Sequence, residues 1–94
     1  RPEDVIDTSR YDAALETYRN LKRQYNTLKA AYDSRRSAYL QIESAYLQGK
    51  ASHDAYVAAY NSLAEARLAL NTITPALRQA ADELDRIEAE TFGF

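Results

Sequence analysis

Apolar and aromatic residues recur every seven positions along the first half of the chain. Tyrosine occupies six positions spaced by seven residues: Tyr11, Tyr18, Tyr25, Tyr32, Tyr39 and Tyr46. The position three residues further on is filled by Ala14, Leu21, Leu28, Arg35 and Ile42. Two apolar positions in each seven-residue repeat are typical of a coiled-coil helix. The pattern therefore predicts one continuous helix over about residues 8–48.

The start of this helix is predicted within residues 7–10. Ser9 is a suitable N-cap because the acidic Asp12 follows it three residues later. Asp7 and Thr8 are alternative caps, since their side chains also accept hydrogen bonds from free backbone N–H groups.

The second half of the chain carries a heptad pattern of its own. One row consists of Tyr56, Leu63, Leu70, Leu77 and Leu84, and the other of Ala59, Ala66, Ile73, Ala80 and Ile87. Between the two patterns, Gly49 is suited to a left-handed C-cap and Ser52 to an N-cap. The sequence thus predicts a turn at 48–52 and a second helix over about residues 52–90.

Pro75 interrupts the second pattern, and two interpretations follow. Thr74 and Pro75 have the residue types of a cap and a first residue, so they could begin a third helix. The heptad rows nevertheless keep their register across the proline, which favours a single helix with a kink at 74–75.

These elements predict an all-α fold, an antiparallel two-helix coiled-coil hairpin forming one domain over residues 1–94. Such a hairpin has surfaces that would suit assembly into a larger helical bundle. Pairing about the turn brings together residues whose numbers sum to about 100. Arg35 is then expected beside Glu65, and Arg10 beside Glu90.

Composition supports a slender helical protein. Of the 94 residues, 46% are hydrophobic, and only two are glycine and two proline, too few for the turns of a multi-strand fold. No run of apolar residues is long enough for a membrane span. Cys, Met and Trp are absent, which fits an extracytoplasmic location (secreted, periplasmic or cell surface). We expect a mature form or an excised fragment, because the chain begins with arginine and contains no methionine.

The sequence contains no catalytic signature. The single histidine, His53, lies beside Asp54 at the start of the second helix, where neighbours in sequence point in different directions. The acidic residues near the end lack the spacing of a calcium loop, and no glycine-rich phosphate loop is present. We therefore expect no enzymatic activity, no metal and no cofactor.

Charge is unevenly distributed, although the formal net charge is only −2. Residues 19–36 contain six basic residues and one acidic residue, whereas the final turns are acidic. A nucleic-acid interface is one interpretation, because tyrosines alternate with these basic residues. The heptad spacing assigns the tyrosines to packing instead, so we expect no nucleic acid partner. Contact with the acidic end of a second copy, in a homo-oligomer, is favoured.

Apolar residues extend beyond the heptad rows around the turn. A turn that only contacts solvent does not require the leucines and the valine found here. The turn end of the hairpin is therefore predicted to bind a protein partner. The predicted partner-binding residues are Tyr39, Leu40, Tyr46, Leu47, Tyr56, Val57 and Tyr60. The expected function is that of a protein–protein interaction module, such as an adhesin, a receptor-binding element or an assembly element.

The stretch from Tyr46 to Tyr60, followed by Leu63, resembles the turn-and-helix segments of bacterial efflux components, both periplasmic adaptor hairpins and outer-membrane channel helices. That resemblance implies a transport or secretion adaptor as an alternative function. The same stretch resembles the turn of small secreted helical hairpins named for Trp-x-Gly, with 47–49 standing in the place of that motif. Receptor-binding hairpins of bacteriocins and helical surface adhesins share the general pattern. The sequence leaves these alternatives open.

Overall fold

The computed structural model describes residues 5–93 as two long antiparallel helices. Helix α1 spans Ser9–Leu47 with 39 residues and helix α2 spans His53–Phe92 with 40 residues. The molecule is a rod with extents of 76 × 17 × 16 Å. No strand occurs within the described range. The predicted all-α helical hairpin is confirmed.

Two ion pairs fix the alignment of the helices. Arg10 Nη1 lies 3.3 Å from Glu90 Oε2, and Arg35 Nη1 lies 3.6 Å from Glu65 Oε2. Both pairs were predicted, and the residue numbers of each sum to 100. The height of a residue along the shaft can therefore be written as its α1 number, or as 100 minus its α2 number.

The first turn of α1 differs from the preferred prediction. Thr8 is the N-cap and Ser9 is already helical, so the choice of Ser9 as cap was wrong. Asp7 Oδ1 accepts hydrogen bonds from the Ser9 hydroxyl (2.7 Å) and the Ser9 backbone N–H (3.0 Å). These bonds lower the pKa of the Asp7 carboxyl. Thr8 Oγ1 donates to Asp12 rather than capping the helix.

The turn between the helices is built from two caps. Gly49 has a φ of 73°, the left-handed region where a side chain causes strain. Its N–H donates to the Tyr46 carbonyl (3.0 Å), and the N–H of Lys50 donates to the Ala45 carbonyl (2.7 Å). These two bonds form a Schellman motif. Ser52 Oγ then accepts a hydrogen bond from Ala55 N at 3.0 Å, as expected of an N-cap.

Helix α2 continues through Pro75, which excludes the third-helix interpretation. Proline has no N–H, so the carbonyl of Asn71 loses its usual helical partner. One residue earlier, Thr74 Oγ1 donates to the Leu70 carbonyl at 2.8 Å. The continuous heptad rows hold the helix together across this defect.

The seam between the helices is thin and has two open sides. The only buried side chains of the described residues are Leu63, Ala66, Ala80 and Ile87, all in α2. One side has a groove that contains two tyrosines of α1, and we call it the tyrosine side. This groove is lined by Tyr18, Lys22, Tyr25, Thr74, Leu77, Arg78 and Ala81. The opposite, alanine side has a groove lined by Thr17, Leu21, Ala76, Gln79, Ala80 and Glu83.

Candidate protein-binding site at the tip

An aromatic cluster occupies the tip of the hairpin. The rings of Tyr46 and Tyr56 stack with centroids 4.7 Å apart and an interplanar angle of 10°. Tyr39 lies 5.9 Å from Tyr56 and 6.1 Å from Tyr60. His53 lies 5.8 Å from Tyr46. The antiparallel register brings these five rings together, because residues at similar heights on the two helices face each other.

Hydrogen bonds fix the orientation of the rings. Tyr39 donates its hydroxyl proton to Glu43 Oε2 at 2.7 Å, and its oxygen lies 3.5 Å from the Tyr56 hydroxyl. The Tyr46 hydroxyl lies 3.3 Å from His53 Nδ1. The hydrogen bonds with Tyr56 and with Glu43 raise the pKa of Tyr39 well above its ordinary value. Stacking and hydrogen bonding together orient the rings, and we call this aromatic cluster the platform.

The predicted binding residues divide into two groups. Tyr39, Tyr46 and Tyr56 are half-buried within the cluster. The other four are exposed by 43% at Leu40, 77% at Leu47, 38% at Val57 and 53% at Tyr60. Each exposed aliphatic residue directly follows a tyrosine of the cluster in sequence. The platform is therefore flanked by apolar side chains in contact with solvent.

Two members of this arrangement were missed by sequence reasoning. His53 was considered only as a candidate catalytic residue and not as part of the predicted binding site; it is exposed, and its ring contacts Tyr46 and Tyr56. Glu43 was not considered, although it accepts the Tyr39 hydrogen bond. The contact of His53 could have been predicted from the helix register, because the residue numbers of Tyr46 and His53 sum to nearly 100 and therefore place the two residues opposite each other. Glu43 follows Tyr39 by four residues, the spacing of neighbours on one helix face.

Other exposed apolar side chains are scattered along the rod. Leu68 is 69% exposed near the middle of α2, and Val5 and Ile6 are exposed before α1. Phe92 packs edge-to-face on Tyr11 with centroids 5.1 Å apart. Unlike the tip residues, Leu68 is not accompanied by an aromatic cluster, which makes it a useful comparison for the tip.

The described residues present no cluster of three or more His, Asp or Glu side chains arranged to hold a metal ion. Neither α1 nor α2 has a segment apolar and long enough to cross a membrane, as far as residues 5–93 show. The grooves along the shaft are open to solvent on both sides. The geometry favours contact with a surface rather than enclosure of a small molecule.

No protein-family model matches this chain, and no curated protein or solved structure matches it either. Function must therefore be argued from the surface of the hairpin.

Proposed function

We propose that this chain is a non-enzymatic helical-hairpin module that binds another protein through its tip. The observation that carries the proposal is the exposure of Leu40, Leu47, Val57 and Tyr60 around a fixed aromatic cluster. Exposed apolar groups that adjoin one another are characteristic of interaction sites, whereas single ones are common on any surface.

Rigidity of the cluster favours binding. Tyrosine is enriched among the residues that dominate binding energy at protein interfaces. Tyr39 and Tyr56 are already oriented by hydrogen bonds and ring contacts. A partner would consequently order few side chains on binding, which lowers the entropic cost of association.

The shaft acts as a spacer in this proposal. A rod 76 Å long holds the tip far from its open end, as suits an adhesin, a receptor-binding element or an assembly element. The proposal includes an extracytoplasmic location, which is supported by the absence of Cys, Met and Trp. The proposal also includes self-association of the protein through the shaft, which is supported by the uneven distribution of charge along the rod.

Site-specific cross-linking tests the tip. A photo-reactive amino acid replaces Leu47 in one version of the protein and Leu68 in another, expressed in the native cell. The two leucines have similar exposure, 77% and 69%, but only Leu47 lies at the tip. We expect a discrete cross-linked protein with the label at 47 and none with the label at 68.

A matched set of variants completes the test. The triple variant Leu40→Ser, Leu47→Ser, Val57→Ser should lose the partner while keeping the helical circular dichroism spectrum. Leu68→Ser should keep both. Recovery of the same partner from the 68 label, or binding that survives the triple variant, would rule out the tip as the contact site.

A further inference from the structure

The shaft carries a surface that complements itself. Residues 5–18 and 82–93, at the open end, contain eight acidic and two basic residues. The adjoining segments, 19–36 and 64–81, contain eight basic and two acidic residues. When a second copy lies alongside in the reverse direction, the acidic segment of each copy can face the basic segment of the other.

The individual charges have a common centre of symmetry. On α1, Asp12 and Lys22 have their midpoint at height 17. On α2, Arg78 and Glu88 have theirs at residue 83, which is also height 17. A two-fold axis crossing the shaft there would place Asp12 opposite the Lys22 of a second copy, and Glu88 opposite its Arg78.

These charged groups share one side of the rod, and none of them is neutralised by an opposite charge among the described residues: Asp12 accepts a hydrogen bond from the neutral Thr8 hydroxyl, and Lys22 lies over the ring of Tyr25. Lys22 and Arg78 line the groove on the tyrosine side. Asp12 follows Tyr11 of the tyrosine row, and Glu88 lies one heptad after Ala81 of the same groove. Among residues 5–93, every ion pair is formed by other side chains, and none of these four charged groups takes part in one.

The centre of this surface is apolar. Leu15 and Tyr18 on α1, and Ala81 and Leu84 on α2, lie between heights 15 and 19. All four are half-buried, so each keeps apolar surface that another copy would cover. An apolar centre surrounded by charged groups is the usual arrangement of a specific interface.

We propose that the hairpin forms an antiparallel, staggered dimer through the tyrosine side, with its two-fold axis at height 17. This inference rests on the proposed self-association and specifies its geometry. The two-helix parts of the copies overlap from height 8 to height 26, about 18 residues or 27 Å of shaft. Over a rod 17 Å wide, that gives about 450 Å² per copy, which corresponds to a weak, salt-sensitive dimer.

Other alignments bring like charges together. A parallel dimer in register, in which α1 of one copy faces α2 of the other, places Lys22 opposite the Arg78 of the second copy and Asp12 opposite its Glu88. An antiparallel dimer with complete overlap has its axis near height 28, so Lys22 at height 22 comes close to the basic residues Arg36 and Arg67 at heights 36 and 33. The staggered arrangement alone pairs base with acid. It leaves the two tips free and about 100 Å apart, at opposite ends of the assembly.

Single cysteines locate the interface, because the chain has no cysteine of its own. Ala81→Cys lies near the axis on the tyrosine side, and Gln79→Cys lies at almost the same height on the alanine side. Ala64→Cys lies on the tyrosine side, but at height 36 and outside the overlap. A short bismaleimide should join the copies at 81 only. Cross-linking at 79 would overturn the chosen side, and cross-linking at 64 would indicate a parallel dimer.

Charge reversal tests the pairing. Light scattering at low salt should show a dimer that dissociates as salt is added. The variants Lys22→Glu/Arg78→Glu and Asp12→Lys/Glu88→Lys should each raise the dimer dissociation constant about tenfold or more. An equimolar mixture of the two should associate again as a heterodimer. Arg36→Glu/Arg67→Glu, the same change of charge outside the overlap, should leave the dimer intact.

The outcomes separate the two proposals. A monomer at all concentrations would overturn the self-association and its geometry, while cross-linking from position 47 would still test the tip. A dimer that survives both reversals, or an open series of larger species, would overturn the staggered arrangement alone.

Discussion

Arg35 and Glu65 meet across the helices near the middle of the shaft, with Arg35 Nη1 3.6 Å from Glu65 Oε2. The same nitrogen donates to the carbonyl oxygen of Ser62 at 3.0 Å. Arg35 occupies the row that holds Leu28 and Ile42 one heptad to either side. The two side chains remain 43% and 79% exposed, so the pair contributes alignment more than stability.

Replacing this arginine should stabilise the hairpin. Arg35→Leu restores an apolar residue to the row and is expected to raise the free energy of unfolding by about 1 kcal/mol, because the burial gained exceeds the value of an exposed ion pair. Urea unfolding followed by circular dichroism measures the change. Glu65→Gln should alter stability by less than about 0.5 kcal/mol. A loss of more than 1 kcal/mol in Arg35→Leu would contradict this account.

The turn depends on the backbone of Gly49. Its φ is 73° and a Cβ there would meet nothing within 4 Å, so substitution produces backbone strain without a steric clash. Gly49→Ala should lower the free energy of unfolding by about 1 kcal/mol, measured by urea unfolding.

Gly93 provides a matched control for the turn. It has a φ of 76° and equally open surroundings, but it caps the C-terminal end of α2, away from the turn. Gly93→Ala should have a much smaller effect, because a helix end can fray without separating the helices. Equal losses in the two variants would show that the turn has no special role.

Much of the fold could be predicted because its determinants are local and periodic. The seven-residue rows define each helix, and Gly49 with Ser52 defines the single reversal. Once both are known, the pairing of Arg10 with Glu90 follows from counting residues. Long-range contacts in a hairpin are simple consequences of the turn, which is untrue of most folds.

The cap of α1 could not be predicted from residue types alone. Asp7, Thr8 and Ser9 are all residue types that cap helices, and the energies that distinguish them are small. At the tip, the sequence placed the tyrosines at neighbouring heights. Ring angles and the contact of Tyr46 with His53 depend on side-chain torsions that periodicity does not specify.

Pro75 is a defect that the seam tolerates. Pro75→Ala restores an N–H for the carbonyl of Asn71 and removes the ring from the helix interior. We expect the free energy of unfolding to rise by about 1 to 2 kcal/mol, less than the intrinsic helix cost of proline because proline also restricts the unfolded chain. Thermal unfolding monitored by circular dichroism is the test. Destabilisation by this substitution would mean that the proline shapes the seam favourably.

The tip should become unstable in alkali because of Tyr39. Hydrogen bonds with Tyr56 and Glu43 raise the pKa of Tyr39 in the folded state. The folded protein then holds this proton more tightly than the unfolded chain, so the contribution to stability is complete below the ordinary tyrosine pKa of about 10 and declines as pH rises above it. Tyr39→Phe removes the titrating group and should make the loss of stability above pH 10 less steep, measured by urea unfolding at a series of pH values.

Glu43→Gln is the companion substitution for the same measurement. It keeps a hydrogen-bond acceptor four residues after Tyr39 but removes the negative charge that opposes ionisation of the phenol. We therefore expect a dependence on pH between that of the wild type and that of Tyr39→Phe. If all three proteins lose stability with the same slope above pH 10, the hydroxyl network at the tip does not hold the Tyr39 proton, and the rigidity inferred for the aromatic cluster would have to come from ring stacking alone.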